Sequence, residues 1–249
     1  MNMEGYYKEK INWLRKTIER SNYMVCLMGV RVSSQCGCTN YRDEHDAYEI
    51  EAKYGYSPEE MFNVTFFNNR VEQFYDFYKR DMINVLGEVG EGLKTMQRLE
   101  ARGKLKYIIT RDIFSLPKRA GCSNVYELHG SVFSNFCPHC GKRYPLEYIQ
   151  QSKGVPRCED CGMVIRPGVS LIGEIVDNVL ISRAAEEVKK ADTLLVMGCN
   201  LKSSLANTFL RHFEGNELVL LNTEEHFADS KADLVIHGKP MDILKDLGI

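Results

Sequence analysis

Four cysteines constrain this chain more than any other feature. Cys137-Pro138-His139-Cys140 and Cys158-Glu159-Asp160-Cys161 form two C-x-x-C turns separated by 17 residues. Each turn is tight enough to aim two thiolates at one ion, and two such turns close a tetrahedron around zinc. A four-sulfur shell leaves no open position for water or substrate. The zinc predicted here is therefore structural, with Cys137, Cys140, Cys158 and Cys161 as its ligands and His139 as a solvated turn residue. A module this small has to be set into something larger, and 249 residues give length for one large core with a smaller satellite.

The chain has nine cysteines, an odd number, and four of them sit in close pairs. That pattern fits metal ligation in a reducing cytoplasm better than a secreted disulfide framework. Cys26, Cys36, Cys38, Cys122 and Cys199 read by default as small buried hydrophobes, the alternative being a redox or second metal site built from Cys36, Cys38 and Cys199. Paired C-x-x-C turns also occur in nucleic-acid binders, but 32 Lys+Arg against 34 Asp+Glu give a net charge of -2 and no basic field for a phosphate backbone. No nucleic-acid partner is expected. Met1 to Lys10 mixes charges with tyrosines rather than forming a leader, and no apolar run reaches membrane-spanning length, so no membrane partner is expected and a cytoplasmic location is.

Short apolar runs recur along the chain, each closing on a small or polar residue: Tyr23 to Met28, Lys106 to Ile109, Val125 to Leu128, Thr193 to Met197, Glu217 to Leu221 and Leu234 to Ile236. Runs without polar alternation predict parallel strands buried on both faces. Helical patterns lie between them. Glu4 to Arg20 places Tyr7, Ile11, Leu14 and Ile18 on one face, Glu91 to Arg102 stops at Gly103, and Leu205 to Glu214 is opened by Ser203 and stopped by Gly215. The alternation predicts an α/β, Rossmann-like doubly wound parallel sheet, whose ligands sit outside the carboxyl ends of the strands.

Two segments interrupt it. Asp43 to Val85 lacks any strand-like run and carries a helix start at Ser57-Pro58-Glu59-Glu60, where Ser57 can cap and Glu60 can reach back. Phe136 to Arg166 holds the cysteine turns. The expected organisation is a Rossmann-like lobe from 1–42, 86–135 and 167–249, and a smaller lobe from a helical insertion at 43–85 and a zinc module at 136–166. Phe62, Phe66, Phe67, Phe74, Tyr75, Phe77 and Tyr78 are dense enough to be that lobe's own core or, alternatively, a surface for a partner.

Gly29-Val30-Arg31-Val32-Ser33 follows the first predicted strand, where a dinucleotide fold places the turn that meets a pyrophosphate. Downstream come Thr110-Arg111-Asp112-Ile113-Phe114, Ala120-Gly121, Glu127-Leu128-His129-Gly130, Arg166-Pro167-Gly168-Val169-Ser170-Leu171-Ile172-Gly173-Glu174, Gly198-Cys199-Asn200-Leu201 and Asn222. In this order and spacing, with Thr39-Asn40-Tyr41-Arg42 closing the first loop, the chain resembles the sirtuin family of NAD-dependent protein deacylases over nearly its whole length. The resemblance implies NAD and an acyl-lysine protein or peptide meeting in a cleft between the two lobes. It implies His129 as the catalytic base on a ribose hydroxyl. It also implies NAD contacts from Gly29, Val30, Ser34, Tyr41, Arg42, Arg111, Asp112, Ile113, Gly198, Cys199 and Asn222, the last at the family's ribose-binding position.

The departures from the family pattern fall where NAD would react. Phe114 stands where the family has an Asp that hydrogen-bonds the nicotinamide carboxamide, and an unpaired amide in a dry pocket costs roughly 1 to 3 kcal/mol. Arg111 and Asp112 replace Gln and Asn, giving a charge pair in which each can neutralise the other. Val30 and Arg31 replace Ala and Gly, crowding the backbone approach that Gly permits, although a guanidinium can bind a phosphate oxygen bidentately. Cys199 replaces a hydroxyl-bearing Thr. The expected function is an NAD-dependent protein-lysine deacylase that transfers the acyl group to ADP-ribose with release of nicotinamide. The alternatives are a non-catalytic binder of NAD or ADP-ribose, or an ADP-ribosyltransferase.

Overall fold

A computed structural model describes residues 3–41 and 44–249. Strands β1 (Met24–Met28), β2 (Leu105–Thr110) and β3 (Val125–Glu127) are followed by a short antiparallel ribbon, β4 (Asn135–Phe136) with β5 (Arg143–Tyr144), and then by β6 (Thr193–Met197), β7 (Glu217–Asn222) and β8 (Leu234–His237). The main sheet is parallel throughout, in the order β3-β2-β1-β6-β7-β8. Its two central strands are buried along their whole length because both faces are covered. Met24, Cys26 and Met28 of β1 face a core shared with Ile11, Leu14 and Ile18 of the helix Met3–Arg20 and with Leu93, Met96 and Leu99 of the helix Glu91–Ala101. Val25 and Leu27 face the opposite core, with Ala184 and Val188 of the helix Asn178–Lys190 and Leu205 and Phe209 of the helix Ser204–Leu210. Each such fully buried aliphatic side chain contributes roughly 1.5 to 3 kcal/mol relative to exposure.

The six predicted strands all form, as do the helices opened near Glu4 and Glu91. Gly103 ends the latter with φ +70°, its N–H donating to the Glu100 carbonyl at 2.8 Å. The helix read as Leu205 to Glu214 is shorter. Ser203 caps it through Ala206 N–H, but it closes at Leu210, because the N–H groups of His212 and Phe213 reach back only three residues, to Phe209 and Leu210. That tighter turn lets Phe213 fold against the second core.

The smaller lobe combines the β4–β5 ribbon with helices Glu44–Tyr54, Pro58–Met61, Val64–Asn69 and Val71–Phe77, the last running into a π turn at Tyr78–Met82. Ser57 and Glu60 form the anticipated reciprocal cap. Phe74, Tyr75, Phe77 and Tyr78 are fully buried and Phe62 nearly so, with Phe74 stacked on Tyr78 at 5.4 Å and Phe67 edge-on to Phe74 at 5.0 Å. They form the lobe's own core, not a docking surface. The Tyr75 hydroxyl donates to the Ile165 carbonyl, tying the helical segment to the chain just after the second cysteine turn. Among the described residues no helix is long and apolar enough to cross a membrane.

Candidate active site and metal cluster

The four predicted ligands converge. Cys137 and Cys161 Sγ lie 3.4 Å apart, Cys140 and Cys158 Sγ 3.5 Å, Cys161 and Cys140 Sγ 4.0 Å, and all four sulfurs fall within 4.8 Å of one another. A zinc tetrathiolate with Zn–S bonds of about 2.3 Å has sulfur–sulfur edges of about 3.8 Å, so the quartet fits the ion. Gly141 and Gly162 directly follow the second cysteine of each turn with φ of +74° and +71°, a conformation that costs glycine little. Their N–H groups donate back to the Cys137 and Cys158 carbonyls at 3.0 and 2.8 Å. Around this shell, the Tyr144 hydroxyl donates to Cys158 Sγ at 3.1 Å and accepts from Glu159 N–H at 2.9 Å. His139 is exposed, as its turn position predicts.

A cavity of about 240 Å³ opens beyond the carboxyl ends of β1, β2 and β3, between the sheet and the smaller lobe. It gathers Val30, Ser34, Tyr41, Arg111, Asp112, Ile113 and His129, seven of the residues picked out in the sequence. His129 stands two residues beyond β3 on a backbone held from both sides. Leu128 N–H donates to the Thr110 carbonyl at 2.9 Å, and the His129 carbonyl accepts from Ser170 N–H at 2.8 Å. Gly130 follows with φ +70°, and a side chain there would run into the Gly168 carbonyl. The histidine is thus presented to the cavity by a turn that accepts only glycine after it.

Asp112 is 3 % exposed and turns inward. Its Oδ1 accepts from the Ser33 hydroxyl at 2.9 Å and from Phe114 N–H at 3.1 Å, and its Oδ2 accepts from Leu116 N–H at 2.9 Å. Burial raises its pKa above 3.8, and these hydrogen bonds oppose the shift. Arg111 donates instead to the Ser204 hydroxyl. The expected mutual neutralisation of Arg111 and Asp112 therefore gives way to two separate duties, one fastening the first turn to the second loop and the other reaching the helix that follows β6. Phe114, 4 % exposed, lines the cavity as an apolar wall.

Gly29, Gly198, Cys199 and Asn222 form a second group beside the cavity, at the ends of β1, β6 and β7. Gly29 N–H donates to the Met197 carbonyl at 2.8 Å and Gly198 N–H to the Leu221 carbonyl at 3.0 Å. A Cβ on Gly29 would sit 2.6 Å from that of Cys199, so the two turns interlock through glycine. Arg31 reaches over them. Its Nη1 donates to Asn222 Oδ1 at 3.4 Å and its Nη2 pairs with Glu224, while Asn222 Nδ2 donates to the Glu224 carbonyl at 2.9 Å. Arg42 lies outside the described residues. Burial pushes the Cys36 and Cys38 thiols up to about 11 and about 12, which leaves both protonated at neutral pH. Among the described residues, the zinc quartet is the one group of three or more potential ligands brought within ligating distance.

Phe62, expected in the smaller lobe's core or on a partner surface, and Met82, which the sequence did not single out, line the same cavity from the smaller lobe. Nothing in their spacing distinguishes a residue at the edge of a core from one at its centre.

A doubly wound nucleotide-cleft fold with a zinc-bearing lobe over the cleft defines the class of this protein. Residues 29–204 match the sequence profile of the Sir2 family, and the chain belongs to that family. It is 38 % identical over 229 residues to the NAD-dependent protein deacetylase of Clostridium acetobutylicum, covering 92 % of this chain and 94 % of that one. It is 37 % identical over 230 residues to the protein of the same name from Clostridium perfringens, with 92 % and 94 % covered. Among solved structures, Sir2Tm bound to a propionylated peptide superposes with a TM-score of 0.78 at 26 % identity, covering 96 % of this chain and 97 % of that chain. A Sir2 protein with a p53 peptide and NAD+ superposes with a TM-score of 0.77 at 27 % identity, covering 99 % and 97 %.

Proposed function

We propose that the chain is an NAD-dependent protein-lysine deacylase, acting on acyl-lysine proteins or peptides, with structural zinc in its smaller lobe. The observation that carries this is the convergence of His129, the first turn and the Arg111–Ile113 loop on one cavity at the carboxyl edge of the sheet. The donor set suits a ribosyl-nicotinamide: the Ser34 hydroxyl, the Asn40 amide, the Arg111 guanidinium and the His129 imidazole surround a space bounded by Phe62, Ile113 and Phe114. Bound NAD would supply an ADP-ribosyl group as acyl acceptor and nicotinamide as leaving group. Within that setting His129 takes the proton of a ribose hydroxyl, a task suited to an imidazole that titrates near neutral pH when unperturbed. Phe62, Met82 and Phe114 exclude water, so that the acyl group leaves to the sugar rather than to solvent. Asp112 positions the second loop through Ser33; Gly29, Gly198, Cys199 and Asn222 serve the adenosine side, and Arg42 is a further contact to the dinucleotide.

On this reading the NAD-binding lobe is formed by 1–42, 86–135 and 167–249 and the covering lobe by 43–85 and 136–166, and the protein works in the cytoplasm. Phe114 and Arg31 favour a second reading, a member that binds NAD or ADP-ribose without turnover. Incubating zinc-loaded protein with NAD and an acetyl-lysine peptide, followed by mass spectrometry of both products, separates the two. Deacylated peptide together with acylated ADP-ribose is the expected outcome. Intact peptide in the presence of bound NAD supports the second reading, and ADP-ribose attached to the peptide would indicate ADP-ribosyl transfer.

A further inference from the structure

A dinucleotide with its reactive end beside His129 has one direction in which to extend. The cavity lies over β1, β2 and β3, and the sheet continues on the other side of β1 as β6 and β7. The adenosine half therefore passes the interlocked Gly29 and Gly198 turns and reaches Asn222, the last residue of β7, and Glu224 just beyond it. That end of the cleft is where Arg31 lies. Its guanidinium contacts the Asn222 side chain and pairs with Glu224, with the arginine side chain 36 % exposed and the glutamate 65 % exposed.

We infer that Arg31 reads a phosphate on the adenosine ribose, so that this protein accepts NADP as well as NAD, and that Glu224 sets the balance between the two. The inference rests on the proposed NAD site. In dinucleotide folds an acidic side chain at the ribose hydrogen-bonds a free 2′-hydroxyl, and an arginine there accommodates a 2′-phosphate. This chain places one of each at the same point, bonded to one another. The pair is unequal in how firmly it holds. Glu224 is largely solvated, and an exposed ion pair resists displacement weakly. A phosphate presents more charge and three acceptor oxygens to a planar fork that can bind two of them at once. A 2′-phosphate therefore displaces the Glu224 carboxylate from Arg31, and a bare 2′-hydroxyl leaves the pair standing. Asn222 is fully buried and hydrogen-bonded by Arg31 and to the Glu224 carbonyl, so one edge of the guanidinium rests on the end of β7 before nucleotide arrives.

Calorimetric titration of zinc-loaded wild type, Arg31→Gly, Arg31→Lys and Glu224→Gln with NAD+ and with NADP+ tests this. The wild type binds both. Arg31→Gly weakens NADP+ by about tenfold or more with little change for NAD+, Arg31→Lys falls between because it keeps charge without the fork, and Glu224→Gln strengthens NADP+ relative to NAD+. Arg31→Gly introduces the residue the family carries at this position, and circular dichroism checks that the fold is kept. NAD+ binding with NADP+ excluded overturns the inference alone. So does an equal loss of both nucleotides in Arg31→Gly, which would make Arg31 a pyrophosphate contact. Absence of NAD+ binding in every variant overturns the proposed site and the inference with it.

Discussion

The zinc quartet and the nucleotide cleft lie in one chain and have been held to their patterns to different degrees. At the zinc end all four ligands, both turn glycines and the tyrosine supporting Cys158 are in place. One ion needs four sulfurs at one distance, and no neighbour can take over for a missing one. In the cleft Val30, Arg31, Arg111, Asp112 and Phe114 all depart from the family's residues, and the backbone that carries them is still tied together. Ser33 meets Asp112, Gly29 packs on Cys199, and the His129 carbonyl still accepts from Ser170. A metal shell is specified atom by atom. A cleft wall is specified by its backbone, which leaves its side chains open to change.

Four perturbations separate the two regions, and the zinc end should give the largest effect. Cys158→Ala removes a sulfur and exposes the Tyr144 hydroxyl to an empty shell. Since structural zinc is worth about 10 to 16 kcal/mol to isolated zinc-finger peptides, the smaller lobe is expected to lose metal and cooperative folding together. Zinc content per chain and thermal melting by circular dichroism read both. Retained zinc with an unchanged melting temperature would place the support of this lobe elsewhere.

In the cleft, His129→Ala should reduce peptide-dependent nicotinamide release by about 10²- to 10⁴-fold, the usual worth of a general base, while zinc content and melting temperature stay as in the wild type. A smaller effect is expected from Phe114→Asp combined with Asp112→Asn. Restoring an acceptor for the carboxamide recovers roughly 1 to 3 kcal/mol, a rise in nicotinamide release of about ten- to a hundredfold, measured under saturating NAD. If release is unchanged, the carboxamide has found another partner and Phe114 is only a wall.

The smallest effect concerns pH. Asp112 has its folded pKa raised above 3.8, chiefly by burial. A carboxyl shifted upward binds its proton more tightly folded than unfolded, so its contribution to stability is full below the unfolded pKa and is lost as pH rises through the folded one. Relative to Asp112→Asn, the wild type should therefore gain melting temperature as pH is lowered from about 7 towards about 4. A difference that stays flat, or that moves the other way, would mean that the three hydrogen bonds outweigh burial.

Much of the fold could be read in advance because β1 and β6 are buried on both faces and leave uninterrupted apolar runs. The cysteine turns were equally legible, since the ligand spacing is local. What escaped was non-local. The clasp of Arg31 on Asn222 and Glu224 joins residues 191 and 193 positions apart. No periodicity reports such a meeting. The place of Phe62 and Met82 on the cavity wall escaped for a different reason, since a side chain between a core and a cavity has the same composition as one wholly inside. Arg111 and Asp112 misled because adjacent opposite charges suggest a pair, and the turn sends them to Ser204 and Ser33.

Nicotinamide release from NAD by zinc-loaded protein, with and without an acetyl-lysine peptide and with His129→Ala alongside, bears most directly on whether the altered cleft still performs the family's chemistry. Release that requires peptide and disappears in His129→Ala is the predicted result. Release that is absent, or that proceeds equally without peptide or without the histidine, would contradict a deacylase and leave the zinc lobe covering a nucleotide site of another kind.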